Sequence, residues 1–244
     1  SRAPRPQSLL SVCHITTDLD HLRSGAVATF LGKAKAIQTV TSRQARLIFA
    51  LDATASREPT WEHARALHSE LFNAASTPTP LAVQLCHYQG LGHFQHSHWL
   101  TQPAALLDQL SNVTCLAGTT QIQRVLKHAL QSGTTSHPVR ALVFVGDACE
   151  EEPEALYELA GQCAIKTIPI FVFHEGQDPG AKTVFRQLAH ISRGAYAPFD
   201  VNCADELRAL LGAVSRFAVG GVRALRASNS EKDQLFLAQL PNKP

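Results

Sequence analysis

The chain has 244 residues, of which 45% are hydrophobic, and its 22 lysines and arginines nearly balance its 20 aspartates and glutamates. This length and apolar content predict a soluble globular protein built on one α/β domain. A net charge of +2 provides no strong basic field, which excludes a typical nucleic-acid-binding protein. We find no apolar stretch long enough to cross a bilayer, no signal-peptide pattern and no CxxC pair, so we expect a cytoplasmic protein without disulfides or a membrane partner.

Apolar runs rich in Val, Ile and Phe alternate along the chain with amphipathic stretches of helical length. The runs predict strands at residues 46–51, 81–88, 140–145 and 167–173. The amphipathic stretches predict helices at residues 61–75, 104–110, 121–130, 154–163, 181–191 and 204–217. This alternation predicts an α/β, Rossmann-like fold, in which a doubly wound and mostly parallel sheet of about six strands carries helices on both faces.

The segment LAVQLCHYQGLGHFQHSHWL interrupts the alternation. Its two strand-like halves flank Gly90 and Gly92 without room for a helix, which predicts a hairpin with one antiparallel strand at the sheet edge. The sequence GAYAPFD, residues 194–200, predicts a last short strand. Outside the predicted domain at residues 45–218, residues 1–44 predict a partly helical extension and residues 219–244 a polar tail.

Polar residues follow the first predicted strand in LIFALDATASREPTW. Asp52 closes the strand, and Thr54 and Ser56 follow at alternate positions. Side chains two residues apart in an extended turn point the same way, so these three can face a single ion. Ligands of doubly wound sheets bind at the carboxyl ends of the strands, which is where this turn is expected.

Further oxygen donors are expected at the same edge. Asp147 closes another buried strand in LVFVGDACEEEPEAL, and Thr119 and Thr120 lie in a glycine-containing loop in LAGTTQIQRVL. Two carboxylates and several hydroxyls suit a hard divalent cation, Mg²⁺ in the first place, with Mn²⁺ or Ca²⁺ as alternatives. If Asp147 acts through water, the ion stays electrophilic and favours a further anion.

The three motifs resemble the metal-ion-dependent adhesion site of von Willebrand factor A domains, with its Asp-x-Ser-x-Ser loop, threonine loop and later Asp. Asp52, Thr54 and Ser56 match the first motif, with Thr in place of the middle Ser. Thr120 matches the threonine and Asp147 the final acid. The resemblance covers residues 45 to about 218 and implies a stand-alone, bacterial-type cytoplasmic protein that binds partners and is not an enzyme. It implies that these five residues hold the metal and that an Asp or Glu of a partner protein completes its coordination.

Some of these residues also have structural explanations. Thr54 or Ser56 can serve as the N-cap of the helix that follows. Three glutamates at positions 150–152 place negative charge next to the helix predicted to begin at Pro153, where the helix dipole favours it.

Three other functions remain open at the sequence level. Four histidines crowd the hairpin and could bind zinc, although structural zinc sites usually need four rigidly held ligands: His87, His93, His96 and His98. A haloacid dehalogenase-like phosphatase would use an Asp nucleophile at Asp52, but it needs a second acid at position 54, which is Thr. The third alternative is an A domain that binds partners without metal.

Overall fold

The structure is a computed structural model that describes residues 44–55, 58–67, 81–200, 204–228 and 230–241. The strands are β1 (Ala45–Asp52), β2 (Leu81–Gln89), β3 (His93–His96), β4 (Val139–Gly146), β5 (Ile170–Glu175) and β6 (Ala195–Phe199). The helices are α1 (Glu58–Leu67), α2 (Pro103–Ser111), α3 (Ile122–Ser132), α4 (Pro153–Ile165), α5 (Pro179–Ile191), α6 (Ala204–Arg226) and α7 (Glu231–Gln239). Strands and helices alternate as predicted.

The six strands form one sheet in the order β3-β2-β1-β4-β5-β6. All neighbours are parallel except β3, which pairs antiparallel with β2 at the edge of the sheet. The predicted sheet and its antiparallel edge strand are therefore confirmed. Because β1 lies between β2 and β4, the residues that follow these three strands meet at one edge, which we call the carboxyl edge.

Both faces of the sheet are covered. Leu47, Phe49 and Leu51 of β1 pack in a core formed with α1, α2, α6 and α7, whereas Ile48 and Ala50 pack in a second core formed with α3, α4 and α5. A strand that is buried on both faces reads as a continuous apolar run instead of an alternating one. The two cores thus explain the uninterrupted run in β1 and confirm helices on both faces.

The end of the described chain differs from the predicted polar tail. α6 continues to Arg226, with a kink at Gly221 (φ 62°), and α7 follows it. Phe236 of α7 is fully buried against the aromatic residues of β5, and the buried carboxylate of Asp233 forms paired hydrogen bonds of 2.8–3.3 Å with the guanidinium of Arg216. Leu225, Phe236 and Leu240 of this segment are buried in the core, and Leu235 and Leu237 pack against it.

Two other boundaries also differ. The strand predicted from Thr167 begins at Ile170, because Thr167 has a positive φ of 56° and Pro169 has no backbone N–H to pair. The predicted helix at 61–75 is observed as α1, but residues 68–80 lie outside the described residues, as do residues 1–43 of the predicted extension. Within the described part of the chain, no helix combines the length and the apolar character needed to span a membrane.

Candidate functional site

Asp52 lies at the carboxyl edge and is only 1% exposed. One carboxylate oxygen accepts a hydrogen bond from the backbone N–H of Thr54 (2.7 Å), and the other accepts one from the hydroxyl of Tyr88 (3.1 Å). Tyr88 is paired with Asp52 in the register of β1 and β2. The indole of Trp61 donates to the Asp52 carbonyl (2.8 Å). These contacts orient the carboxylate, whose oxygens act only as acceptors when it is ionised.

The threonine loop, residues 113–121, lies directly against the end of β1. The backbone N–H of Leu116 donates to the Ala53 carbonyl (3.0 Å). Gly118 packs so closely on Gly90 of the hairpin that a Cβ at position 118 would overlap the Gly90 carbonyl. Only glycine allows this approach of two backbones. The same loop carries the buried Thr120, four residues after the Leu116 that contacts the end of β1.

The acidic loop, residues 147–152, follows β4 and contacts the threonine loop. Leu51 pairs with Val145, so Asp147 lies just beyond the level of Asp52 on the neighbouring strand. The Glu150 backbone N–H donates to the Thr120 hydroxyl, and the Thr120 backbone N–H donates to the Glu150 carboxylate, each at 3.0 Å. This reciprocal pair joins the two loops.

Glu151 extends the same contact to α3. Its carboxylate accepts the backbone N–H groups of Ile122 and Gln123, the latter at 2.9 Å. A helix N-terminus has free N–H groups, and the residue that precedes α3, Gln121, makes no side-chain capping bond. The sequence predicts that the glutamates act at the first turn of α4. In the structure, Glu150 and Glu151 instead bond to the loop before α3 and to the start of α3. Sequence separation hides this, since the partners are 28–30 residues apart.

The loops of four of the five predicted metal ligands are thus contiguous: Asp52, Thr54, Thr120 and Asp147. Ser56, with its alternative role as an N-cap, lies outside the described residues. Sequence reasoning missed Tyr88 as a contact of the site, and it named Glu150 and Glu151 but not their bonds to Thr120 and α3. The parallel register of β1 and β2 is the signal that could have identified Tyr88, because it pairs Tyr88 with Asp52 near the ends of the two strands.

Cys115 of the threonine loop does not provide a reactive thiolate. Burial in the first place, and then a hydrogen bond with the Glu58 carboxylate, together raise the pKa of its thiol to about 12. The pKa of Glu58 is correspondingly lowered, first by its hydrogen bond with Cys115 and then by Arg65. A neutral thiol is a poor nucleophile and a poor metal ligand.

The hairpin histidines do not converge. His87 packs against Trp61 in one core, with ring centroids 5.8 Å apart, whereas His96 stacks on His128 of α3 on the other face at 4.3 Å. In the residues that the structure describes, no three His, Cys, Asp or Glu side chains are grouped to hold a metal ion. The zinc alternative therefore finds no support there. A cation at the carboxyl edge would need hydroxyl oxygens in addition to Asp52 and Asp147, which is the donor set that the motifs predict.

Comparison by sequence finds neither a matching family model nor a matching curated protein. Solved structures do match. A von Willebrand factor type A protein from Catenulispora acidiphila aligns with a TM-score of 0.57 and 14% identity over 72% of this chain and 43% of that one. Protein BatB from Bacteroides thetaiotaomicron aligns at 0.53 and 18%, over 67% and 95%. Proximal thread matrix protein 1 of the mussel byssus, with a zinc-occupied MIDAS motif, aligns at 0.57 and 11%, over 70% and 46%.

These likenesses and the sheet order define an α/β protein with a doubly wound sheet. Its fold is that of a von Willebrand factor A domain, as the sequence motifs predict.

Proposed function

We propose that the chain is a protein-binding module in which a divalent cation, Mg²⁺ in the first place, links the carboxyl edge to an acidic side chain of a partner protein. Asp52, Thr54, Ser56, Thr120 and Asp147 would hold the cation. A bound Mg²⁺ would supply a positive centre for a carboxylate.

The observation that carries the proposal is the fixed orientation of the buried Asp52 carboxylate. Its carboxylate is buried, oriented by Tyr88 and the Thr54 backbone, and lies beside the joined threonine and acidic loops. Oxygen donors from separate loops at the carboxyl edge of a doubly wound sheet suit a hard cation. The hydroxyl of Thr120 accepts one hydrogen bond from Glu150 and retains a second lone pair.

The donor set favours binding over catalysis. A phosphatase of the haloacid dehalogenase type needs a second acid two residues after the nucleophile, and Thr54 cannot exchange a proton near neutral pH. Cys115 is held as a neutral thiol. We therefore propose a role in partner binding without turnover.

Metal binding is tested by calorimetry and by thermal unfolding with Mg²⁺, Mn²⁺ or a chelator, in wild type, Asp147→Asn and Asp108→Asn. Asp108 lies on the exposed surface of α2 and serves as the isosteric control. At a Mg²⁺ concentration about a hundredfold above Kd, the wild type gains about 2.7 kcal/mol. For a domain of this size, that gain corresponds to about 5–10 °C in Tm. Asp147→Asn loses most of the gain, and Asp108→Asn retains it.

Two outcomes would contradict the proposal. Equal Mg²⁺ affinity in wild type and Asp147→Asn would exclude a cation at this edge and favour the A domain that binds without metal. Magnesium-dependent hydrolysis of an aryl phosphate, abolished in Asp52→Asn, would favour the phosphatase.

A further inference from the structure

An exposed leucine lies at the tip of the β2–β3 hairpin. The hairpin tip, residues 90–92, has the sequence Gly-Leu-Gly, and its glycines have φ values of 55° and 90°. Such connections favour small and polar residues because they tolerate the turn geometry and the solvent. Leu91 adds nothing to the turn, and with 82% of its surface exposed it adds little to the core. The leucine therefore requires an explanation outside the fold of the chain.

A second exposed leucine belongs to the neighbouring loop. Leu116 of the threonine loop is 50% exposed, and its carbonyl accepts a hydrogen bond from the backbone N–H of Gly90 (3.4 Å). Gly90 immediately precedes Leu91, so the two leucines belong to backbones that touch. Single exposed apolar residues are common on protein surfaces, but adjacent ones beside a candidate site are typical of interaction surfaces.

Both leucines lie at the carboxyl edge. The hairpin tip begins after Gln89, one residue beyond the Tyr88 that bonds to the Asp52 carboxylate. Among the described residues, the remaining large apolar side chain that is strongly exposed is Ile165, at 84%. Ile165 ends α4, which leads into the start of β5, so it lies toward the opposite edge of the sheet.

The hairpin tip is held in a fixed position. Gly118 packs against the Gly90 backbone, and the Gln121 side chain donates to the Gly90 carbonyl (3.5 Å). The guanidinium of Arg124, in the first turn of α3, donates to the Gly92 carbonyl. These contacts tie the tip to the threonine loop, so the leucines are preorganised relative to the candidate metal site.

The charges around the site differ between its two sides. Arg124 provides an exposed cation next to the hairpin tip. The side formed by the ends of β4, β5 and β6 instead carries carboxylates: Glu150, Glu152, Glu175, Asp178 and Asp200. Glu58 contacts Cys115 beside Leu116, but it is paired with Arg65 (3.3 Å), so a partner that brings an acidic residue meets less net negative charge when it approaches over β2 and β3.

We infer that the hairpin tip and Leu116 form an apolar docking surface for a partner segment in which the metal-binding Asp or Glu stands within two residues of a large apolar side chain. This inference rests on the proposed function and specifies the partner that the site accepts. The apolar side chain of the partner packs on Leu91 and Leu116 while its carboxylate occupies the site. Specificity then comes from the apolar contact, because any acidic residue supplies the carboxylate.

A displayed random-peptide library, selected on the whole chain in Mg²⁺ and eluted with chelator, tests the inference. We expect the enriched peptides to contain an acidic residue with a large apolar neighbour. One enriched peptide, synthesised with a fluorophore, is then measured by fluorescence polarisation against Leu91→Ser, Leu116→Ser and Ile165→Ser. Each leucine variant weakens binding roughly tenfold, as expected for the loss of one buried apolar side chain. Ile165→Ser binds within about twofold of wild type.

The outcomes separate the inference from the proposed function. Chelator-eluted acidic peptides without apolar neighbours, or leucine variants that bind as well as Ile165→Ser, overturn the docking surface and leave metal-dependent carboxylate binding intact. A selection without chelator-dependent acidic peptides overturns both. All three replaced side chains are exposed, so we expect the melting temperatures of the variants to match that of wild type. Measuring these temperatures confirms that the variants are folded.

Discussion

Replacement of Glu151 by glutamine tests the contact that joins the acidic loop to α3. In the structure, the Glu151 carboxylate accepts two backbone N–H groups at the start of α3. The amide of glutamine has the same shape but no charge and one acceptor oxygen. Glu151→Gln therefore removes one of the two hydrogen bonds and the favourable charge at the helix N-terminus. Glu152→Gln is a matched control, because Glu152 is exposed and makes no side-chain capping bond.

The expected loss of stability follows from these contacts. A hydrogen bond to a charged group contributes about 1.5–3 kcal/mol. A charge at a helix N-terminus contributes about 0.3–1 kcal/mol. Because Glu151 is only half-buried, we take the lower values and expect a loss of about 2 kcal/mol, or about 4–8 °C in Tm for a domain of this size. Glu152→Gln should stay within about 0.5 kcal/mol of wild type.

Urea unfolding measures the loss of stability in Glu151→Gln and Glu152→Gln, and calorimetry measures their affinity for Mg²⁺. The same contact supports the loop that contains Thr120, so Glu151→Gln should lower Mg²⁺ affinity about tenfold, as is common for residues that orient metal ligands. Equal destabilisation by the two variants would show that the glutamates act through the dipole of α4. If both variants are as stable as wild type, the bond between Glu151 and α3 does not contribute in solution.

Two other predictions concern packing and pH. Gly118→Ala should lower the free energy of unfolding by about 1–3 kcal/mol, because the new Cβ would overlap the backbone of the hairpin. Gly161→Ala in α4, where no heavy atom lies within 4 Å of the added Cβ, should raise it by about 0.5–1 kcal/mol. Equal stabilities of the two variants in urea unfolding would contradict the close approach of Gly118 to the hairpin. Burial lowers the pKa of His87 from 6.5 to about 4, so the unfolded chain takes up the proton at a higher pH than the folded one. The neutral imidazole therefore contributes up to about 3 kcal/mol to the free energy of unfolding above pH 6.5, and this contribution is lost as the pH falls toward 4. His87→Leu should flatten the pH dependence of the free energy of unfolding in this window, and an unchanged slope would refute the assignment.

The sheet could be predicted from the sequence because its strands are buried on both faces. The residues between Leu47 and Leu51 are all apolar and face two cores, so this short run is recognised without any knowledge of its neighbours. Gly90 and Gly92 revealed the hairpin for a similar reason, since both have positive φ values that a tight connection requires. These features are local, and local patterns are visible in one sequence.

The remaining features depend on distant partners. The bond between Tyr88 and Asp52 spans 36 residues, and the bonds between Thr120 and Glu150 span 30. Neither pair follows from periodicity. α7 was missed because its polar residues outnumber its apolar ones, although Phe236 and Leu240 are buried and Asp233 is paired with Arg216. A charged residue in a short segment normally indicates solvent, and only the tertiary structure reveals the ion pair.

The contacts around the carboxyl edge determine how binding energy would be used there. The threonine loop bonds to β1, the hairpin tip and the acidic loop at once. The carboxylate of Asp52 is oriented by Tyr88 before any ligand arrives. A surface that is already ordered loses little conformational entropy on binding, so more of the contact energy appears as affinity. The backbone of such a surface should move little between the free and bound states. If the proposed function holds, selection among partners falls to the shape and polarity of the side chains around the edge, and the inferred docking surface gives Leu91 and Leu116 a larger part in that choice than the carboxylates.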